Sequence, residues 1–329
     1  MALPSACITL PLSDAARARL AEACETTWTT PGGGREELLG HLAGAQGMLC
    51  SAVFPVDAAM LDAAPNLRVI SNFGVGFNNI DIADATRRGI VVCNTPGVLN
   101  DAVADLALAL MLAAARHVPA NAAYAASGGW ASRASGPGLG FDLMGKTLGL
   151  VGYGRIGRAT AQRARAFGMR ILFHDVFADP GPGDDAEYRD LDALMAESDI
   201  VSVHTNLTPE SFHLIGAKEL GRMKPAAWLV NTARGPIVDE EALVKALHAG
   251  TIAGAALDVI EVEPPAADAP ILSAPNTIVL PHVGSATVEA RAAMLELCLS
   301  NLISVLGGQP PLACVNPEAL ERALARQVS

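Results

Sequence analysis

The sequence predicts an α/β protein of two domains, on three observations. Short apolar strands alternate with helical segments through most of its 329 residues. A long apolar helix just after residue 100 interrupts the alternation, and a glycine-rich turn at Gly152 opens a second run of it. Such repeats build parallel sheets, because each parallel crossover needs about a dozen residues and a helix supplies them. The length suits two cores of this kind.

In chain order, residues 1–99 carry candidate strands at 6–10, 47–51, 67–72 and 90–94. Helical patterns lie between them, such as 13–24, with Ser13 as its N-cap. Asn94-Thr95-Pro96-Gly97 closes this run with turn formers. The long helix then starts near Asn100 or Asp101 and stays apolar to about Arg116, with Asp105 the exception. Its apolar run, 106–115, is too short to span a bilayer and reads as a buried helix.

From Lys146 the alternation resumes, with strands expected at 147–151, 170–174, 199–204, 226–231, 253–258 and 276–280. Six strands suit a doubly wound sheet. Segment 178–187, with Pro180, Gly181, Pro182 and Gly183, reads as a surface loop. A helix from about 286 to 306 follows, and residues 310–329 are expected to return to the first domain. The second domain (100–287) is thus inserted in the first (1–99 with 288–329).

The glycine-rich turn carries the first functional signal. In Val151-Gly152-Tyr153-Gly154-Arg155-Ile156-Gly157 a strand precedes and a helix follows. Gly152 suits the tight turn, Gly154 lets backbone approach a pyrophosphate, and Gly157 lets helix pack on strand. The helix N-terminus offers free N–H groups and a positive dipole end to phosphates. The next strand ends in Asp175, 18 residues past Gly157. A carboxylate there accepts hydrogen bonds from ribose hydroxyls and repels a 2′-phosphate, which favours NAD over NADP.

Composition excludes several classes. The net charge of −11 argues against general binding to nucleic acid or anionic membranes, and obliges an anionic substrate to find a local positive site. The N-terminus has no basic segment followed by an apolar core, so no signal peptide is expected. Six scattered cysteines without a CxxC pair, and no clustered histidines, point to reduced thiols in the cytoplasm and to no metal site.

Chemistry gathers at the ends of the last three strands, the edge where open α/β sheets bind ligands. Arg234 follows the strand at 226–231, Glu263 the one at 253–258, and His282 the one at 276–280. Arginine grips a carboxylate in bidentate fashion. Histidine exchanges a proton near neutral pH, and a glutamate bonded to it stabilises the imidazolium. Singly, each has an ordinary structural role; three at successive strand ends beside a nucleotide turn point to a reaction site.

These residues resemble the D-isomer-specific 2-hydroxyacid dehydrogenases over nearly the whole chain. The matching segments are Asn72-Phe73-Gly74-Val75-Gly76-Phe77-Asn78-Asn79-Ile80-Asp81, the Gly152 to Gly157 turn, Asn231-Thr232-Ala233-Arg234-Gly235, the segment from Asp258 to Pro264, and Pro281-His282-Val283-Gly284-Ser285-Ala286-Thr287. The resemblance implies a Rossmann dinucleotide-binding domain inserted in a flavodoxin-like substrate domain. It also implies a catalytic set of Arg234, Glu263 and His282, with the backbone amides of Val75 and Gly76 helping Arg234 hold the substrate carboxylate.

By the same resemblance, Asp258 receives the nicotinamide carboxamide, Arg155 and Ile156 sit on the pyrophosphate, and Thr232 and Ala233 join the cofactor site. A homodimer is implied, with the helix after residue 100 and the Trp130 region in its interface. The run at 74–81 and Ala104-Asp105-Leu106 look most like glyoxylate and hydroxypyruvate reductases.

The segment Ser51-Ala52-Val53-Phe54-Pro55, which helps line the substrate pocket in the family, has no Arg or Lys and suits phosphoglycerate poorly. Phe54 would accept a bulkier keto acid. Glu263 argues against the formate dehydrogenase branch, which has glutamine there. Asn206 stands where the family usually has proline. His204 reads as structural. Phosphite dehydrogenases and an NAD-sensing corepressor share the scaffold and remain as alternatives.

Overall fold

The computed structural model describes residues 3–29, 35–52, 54–133, 135–177, 181 and 183–325. The chain forms two compact units, Met1–Leu99 with Thr287–Ser329, and Asn100–Ala286. The first unit holds five parallel strands: β1 (Ser5–Ile8), β2 (Glu25–Trp28), β3 (Gly47–Ser51), β4 (Val69–Phe73) and β5 (Val91–Cys93). Their order is β2-β1-β3-β4-β5, the flavodoxin-type arrangement. The sequence reading has no strand at β2. The reason is visible in its burial, which alternates between exposed and partly buried at the sheet edge, so Glu-Thr-Thr-Trp offers no apolar run. Ser13 caps the helix Asp14–Ala23, its Oγ accepting from the Ala16 amide at 3.3 Å.

Apolar side chains cover both faces of this sheet. Leu299, Leu302 and Val305 of the helix Val288–Leu306 pack on one face, and Leu38, Leu42, Met60 and Leu61 on the other. Arg68, just before β4, is 2% exposed. Its guanidinium donates to the carbonyls of Ala323 (3.0 Å), Val305 (2.8 Å) and Leu306 (3.4 Å). These are carbonyls at the ends of the helices Val288–Leu306 and Leu320–Ala325. Helix C-termini leave such groups unpaired and carry partial negative charge, so one cation satisfies both ends at once. Val315 and Asn316 complete the attachment, the Val315 amide donating to Val92 O and Asn316 Oδ1 accepting from the Val92 amide.

The second unit holds β6 (Thr147–Val151), β7 (Arg170–His174), β8 (Glu187–Tyr188), β9 (Ile200–Val203), β10 (Trp228–Asn231), β11 (Gly254–Leu257) and β12 (Thr277–Val279). All pair in parallel, in the order β12-β11-β10-β9-β6-β7-β8. The order reverses between β6 and β9, the switch point where doubly wound sheets open a crevice. The sheet has seven strands where the sequence reading expects six. The extra one, β8, has only two exposed residues and falls at the end of the segment read as loop; of that segment, residues 178–180 and 182 lie outside the described residues.

The helix Asn100–Ala115 buries Val103, Ala104, Ala107, Leu108, Leu110, Met111, Ala114 and Ala115, a spacing of three and four. Asp105, the polar exception, lies on its exposed side and pairs with Arg163 at 2.5 Å, while Asp101 pairs with the same guanidinium at 3.0 Å. Among the described residues no single helix is long and apolar enough to cross a membrane.

Replacing Arg68 by Met keeps the apolar stem but strands buried helix-end carbonyls. The expected cost is about 2–3 kcal/mol, read as a lower midpoint for urea unfolding of the first unit.

Candidate active site

Gly152 follows β6 with φ +99°, a conformation L side chains rarely adopt. A Cβ there would lie 2.5 Å from Thr205 N and 2.6 Å from His204 C, so the turn touches the chain leaving β9 backbone to backbone. On Gly157 a Cβ would meet Gly152 O at 2.4 Å, while on Gly154 it would meet nothing within 4 Å. The first and third glycines therefore serve close packing, and the second leaves open ground over the turn. The helix Arg155–Ala166 starts there with no side-chain cap on its N-terminus. Arg155 is exposed and Ile156 partly buried at that end.

Asp175 stands directly after β7, and both its oxygens are oriented by the backbone. Oδ2 accepts from the Tyr153 amide at 2.7 Å and Oδ1 from the Phe177 amide at 2.8 Å. This fixes the carboxylate against the glycine turn. On the other side of the switch point, the β9–β10 register places Thr232 beside His204, each one residue beyond its strand. The Thr232 hydroxyl and His204 Nδ1 are both buried without a partner among the described residues. Burial lowers the His204 imidazole to about 4, so the ring is neutral, and its Nε2 lies 2.9 Å from Ser202 Oγ. Open ground at Gly154, an uncapped helix end, an oriented Asp175 and an orphaned Thr232 hydroxyl together fit a dinucleotide.

Three loops leave the neighbouring ends of β10, β11 and β12. After β10, Asn231 ties its own turn: Oδ1 accepts from the Ala233 amide at 3.0 Å and Nδ2 donates to Arg234 O at 2.9 Å. Arg234 is partly buried and its Nη1 donates to Ala233 O at 2.6 Å. Burial pulls the guanidinium below its ordinary value while Glu263 opposes the shift; an arginine remains charged throughout. Gly235 comes next, where a Cβ would sit 1.8 Å from Ile260 O. The arginine turn and the loop after β11 are therefore in direct backbone contact, and only glycine permits it.

The loop after β11 carries Glu263. Its Oε1 accepts from the Ile260 amide at 3.1 Å and its Oε2 lies 2.7 Å from His282 Nδ1. Burial works against its charge, but His282, the Ile260 amide and Arg234 outweigh it and hold the carboxyl below its ordinary value. With Nδ1 on the carboxylate, Nε2 is the imidazole nitrogen left for a reacting group.

His282 occupies the left-handed region at φ +53°, a conformation costing about 1–2 kcal/mol for an L residue. Asp258 holds it there. The Asp258 carbonyl accepts from the His282 amide at 2.9 Å, and its carboxylate takes the amides of Val283 (2.7 Å) and Gly284 (2.8 Å). Asp258 is 1% exposed; burial pushes its carboxyl up against the pull of those two amides.

The other expected residues belong to the first unit and are described there. After β4, the Gly74 carbonyl accepts from the Thr95 amide at 3.0 Å. The Val75 carbonyl accepts from Asn94 Nδ2 at 2.8 Å, and the Gly76 carbonyl from Asn72 Nδ2 at 2.8 Å. In a trans peptide N–H and C=O point opposite ways. Anchoring the Gly74 and Val75 carbonyls therefore turns the Val75 and Gly76 amides away from the anchors. Sequence reading names those two amides and misses Asn72, Asn94 and Thr95, whose role depends on contacts closed by the fold. Phe54 is partly buried against core residues of its unit, and Val53 lies outside the described residues. Asn206 is exposed, and its carbonyl accepts from Ser211 Oγ at 2.7 Å.

A doubly wound sheet with this turn at its switch point defines a dinucleotide-binding protein, and the comparisons carry that class to a family. The family described as "D-isomer specific 2-hydroxyacid dehydrogenase, NAD binding domain" matches residues 108–284. The chain is 45% identical to a glyoxylate reductase from Thermofilum pendens over 98% of its own length and 97% of that protein's. It superimposes on a glyoxylate reductase from Paecilomyes thermophila with a TM-score of 0.87 and 35% identity, covering 97% of this chain and 100% of that one. An NADPH-dependent glyoxylate/hydroxypyruvate reductase from Sinorhizobium meliloti, solved with NADP and malonate, gives 0.86 and 35%, covering 96% and 97%. The chain belongs to the D-isomer-specific 2-hydroxyacid dehydrogenases. It is an oxidoreductase acting on CH–OH donors, with a nicotinamide dinucleotide as cofactor.

Asp258→Asn leaves one of two buried amides facing an NH2 group. It is expected to cost about 2 kcal/mol in urea unfolding of the second unit and to lower turnover, because the His282 loop loses its anchor.

Proposed function

We propose that this enzyme reduces glyoxylate and hydroxypyruvate with NADH, and that the observation carrying the mechanism is the 2.7 Å contact between His282 Nδ1 and Glu263. Arg234 holds the substrate carboxylate, aided by the backbone amides of Val75 and Gly76, and draws charge from the adjacent carbonyl. When bound, the reduced nicotinamide supplies the hydride. His282 Nε2 donates a proton to the carbonyl oxygen as negative charge develops on it, and Glu263 stabilises and orients the imidazolium. In the reverse direction neutral His282 takes the hydroxyl proton from a D-2-hydroxy acid.

Gly152, Gly154, Gly157, Arg155 and Ile156 would hold the pyrophosphate, with Asp175 on the ribose. Thr232, Ala233 and the remaining lone pairs of Asp258 would face the nicotinamide end. The preference for NAD over NADP rests on Asp175, whose carboxylate repels a 2′-phosphate. Small acids are favoured by the glyoxylate reductases among the relatives; Phe54, packed against its own core, argues less for a bulky acid than its position in the sequence does.

The protein is further proposed to be a cytoplasmic homodimer. The nine-residue helix Val118–Ala126 buries none of its side chains, and Val118, Trp130 and Leu139 are exposed, an apolar surface that suits a second copy. Five buried thiols and one partly buried one, all unpaired, suit a reducing compartment.

His282→Ala is expected to lower kcat for glyoxylate reduction at least about a hundredfold while NADH still binds, measured by fluorescence titration; lost binding would instead give the ring a structural role. Asp175→Ser should raise the NADPH-to-NADH ratio of kcat/KM about tenfold or more, and an unchanged ratio would refute the cofactor preference.

A further inference from the structure

We infer that His213 is a positioning residue for the Glu263–His282 pair, acting through Glu261. The inference rests on the reading of Glu263 given above. Two glutamates alternate on the loop after β11, and each meets a histidine. Glu263 meets His282, and Glu261 Oε1 lies 2.9 Å from His213 Nε2. Its other oxygen, Oε2, accepts from the Glu240 amide at 3.3 Å, while the Glu261 amide donates to Glu240 Oε2 at 2.9 Å. Glu261 is thus held at backbone and side chain, two residues from the carboxylate on the acid–base histidine.

His213 itself is fixed from three directions. Its amide donates to Pro236 O at 2.9 Å, in the turn that follows Arg234. Its ring stacks on Phe212 with centroids 4.0 Å apart and planes 17° from parallel. Its backbone is left-handed at φ +50°. Beyond it the chain continues alongside the arginine turn, with the Ile215 amide on Ile237 O (3.1 Å) and the Asp239 amide on Ile215 O (3.0 Å). One residue therefore touches the segments that carry Arg234 and Glu263, close to where Gly235 packs on Ile260.

Magnitude separates this from a stability device. The His213 and Glu261 side chains are 32% and 30% exposed, and pairs this close to solvent add little to stability. Geometry is far less forgiving, since a misplacement of about 1 Å in a reacting group can cost about a hundredfold in rate. Pinning Ile260–Glu263 by Glu261 is a gain of the second kind.

The test is steady-state NADH-dependent glyoxylate reduction by the full chain carrying His213→Ala, His213→Gln, Glu261→Ala, Glu263→Gln and the double variant His213→Ala/Glu263→Gln. His213→Ala should lower kcat about tenfold with the KM for NADH and the thermal midpoint nearly unchanged. His213→Gln, whose amide can donate to Glu261, should recover most of the loss, and Glu261→Ala should reproduce it should His213→Ala fail to fold. In the Glu263→Gln background His213→Ala should change kcat less than about twofold, because its route is already cut. Losses that multiply in the double variant overturn the inference. A Glu263→Gln enzyme with wild-type kcat overturns the reading of Glu263 itself, and this inference with it.

Discussion

The candidate chemistry depends on one buried carboxylate. Asp258 directly follows β11 and grips the loop after β12 through its carbonyl and both carboxylate oxygens, holding His282 in a backbone conformation an L residue rarely adopts. Charge-assisted bonds of this kind contribute about 1.5–3 kcal/mol each, enough to exceed the conformational cost. Without that grip the imidazole has no fixed place from which to meet Glu263. Parallel register does the rest, because β10, β11 and β12 are neighbours and their loops emerge side by side. The Gly235–Ile260 contact then removes slack between the first two loops.

Charge is handled locally. A chain of net charge −11 repels an anionic acid at long range, so the attraction must come from close by. Arg234 is the cation proposed for that attraction, partly buried and balanced by Glu263, which in turn holds His282. Across the same sheet, the nucleotide turn presents uncapped amides and Asp175 presents a carboxylate, each fixed by backbone bonds. Functional groups oriented by backbone rather than by flexible partners need little reorganisation to act.

Much of this was legible in the sequence where the signal is local. The strands at 47–51, 147–151 and 170–174 have the same bounds in the structure, because continuous apolar runs between turn formers mark buried parallel strands. Ser13 was readable as a cap, and the glycines at 152, 154 and 157 as a turn, from their neighbours alone. Edge strands β2 and β8 were not readable, since their residues lack an apolar face. In the site, Arg234, Glu263 and His282 stood out by residue type and position at strand ends. Asn72, Asn94, His213 and Glu261 did not, because their contacts close only in the fold, between residues 19 to 48 positions apart or through carbonyls they anchor. For Asp258 the resemblance implies a contact with the nicotinamide carboxamide, and the fold adds its bonds to the histidine loop, which no local pattern announces.

The most direct measurement of the central claim is the pH dependence of kcat/KM in both directions, glyoxylate reduction with NADH and glycolate oxidation with NAD. If the Glu263-bound imidazole gives the proton in one direction and takes it in the other, reduction falls as pH rises while oxidation climbs through the same ionisation. Profiles that move together, or that keep their shape in His282→Ala, would contradict the account.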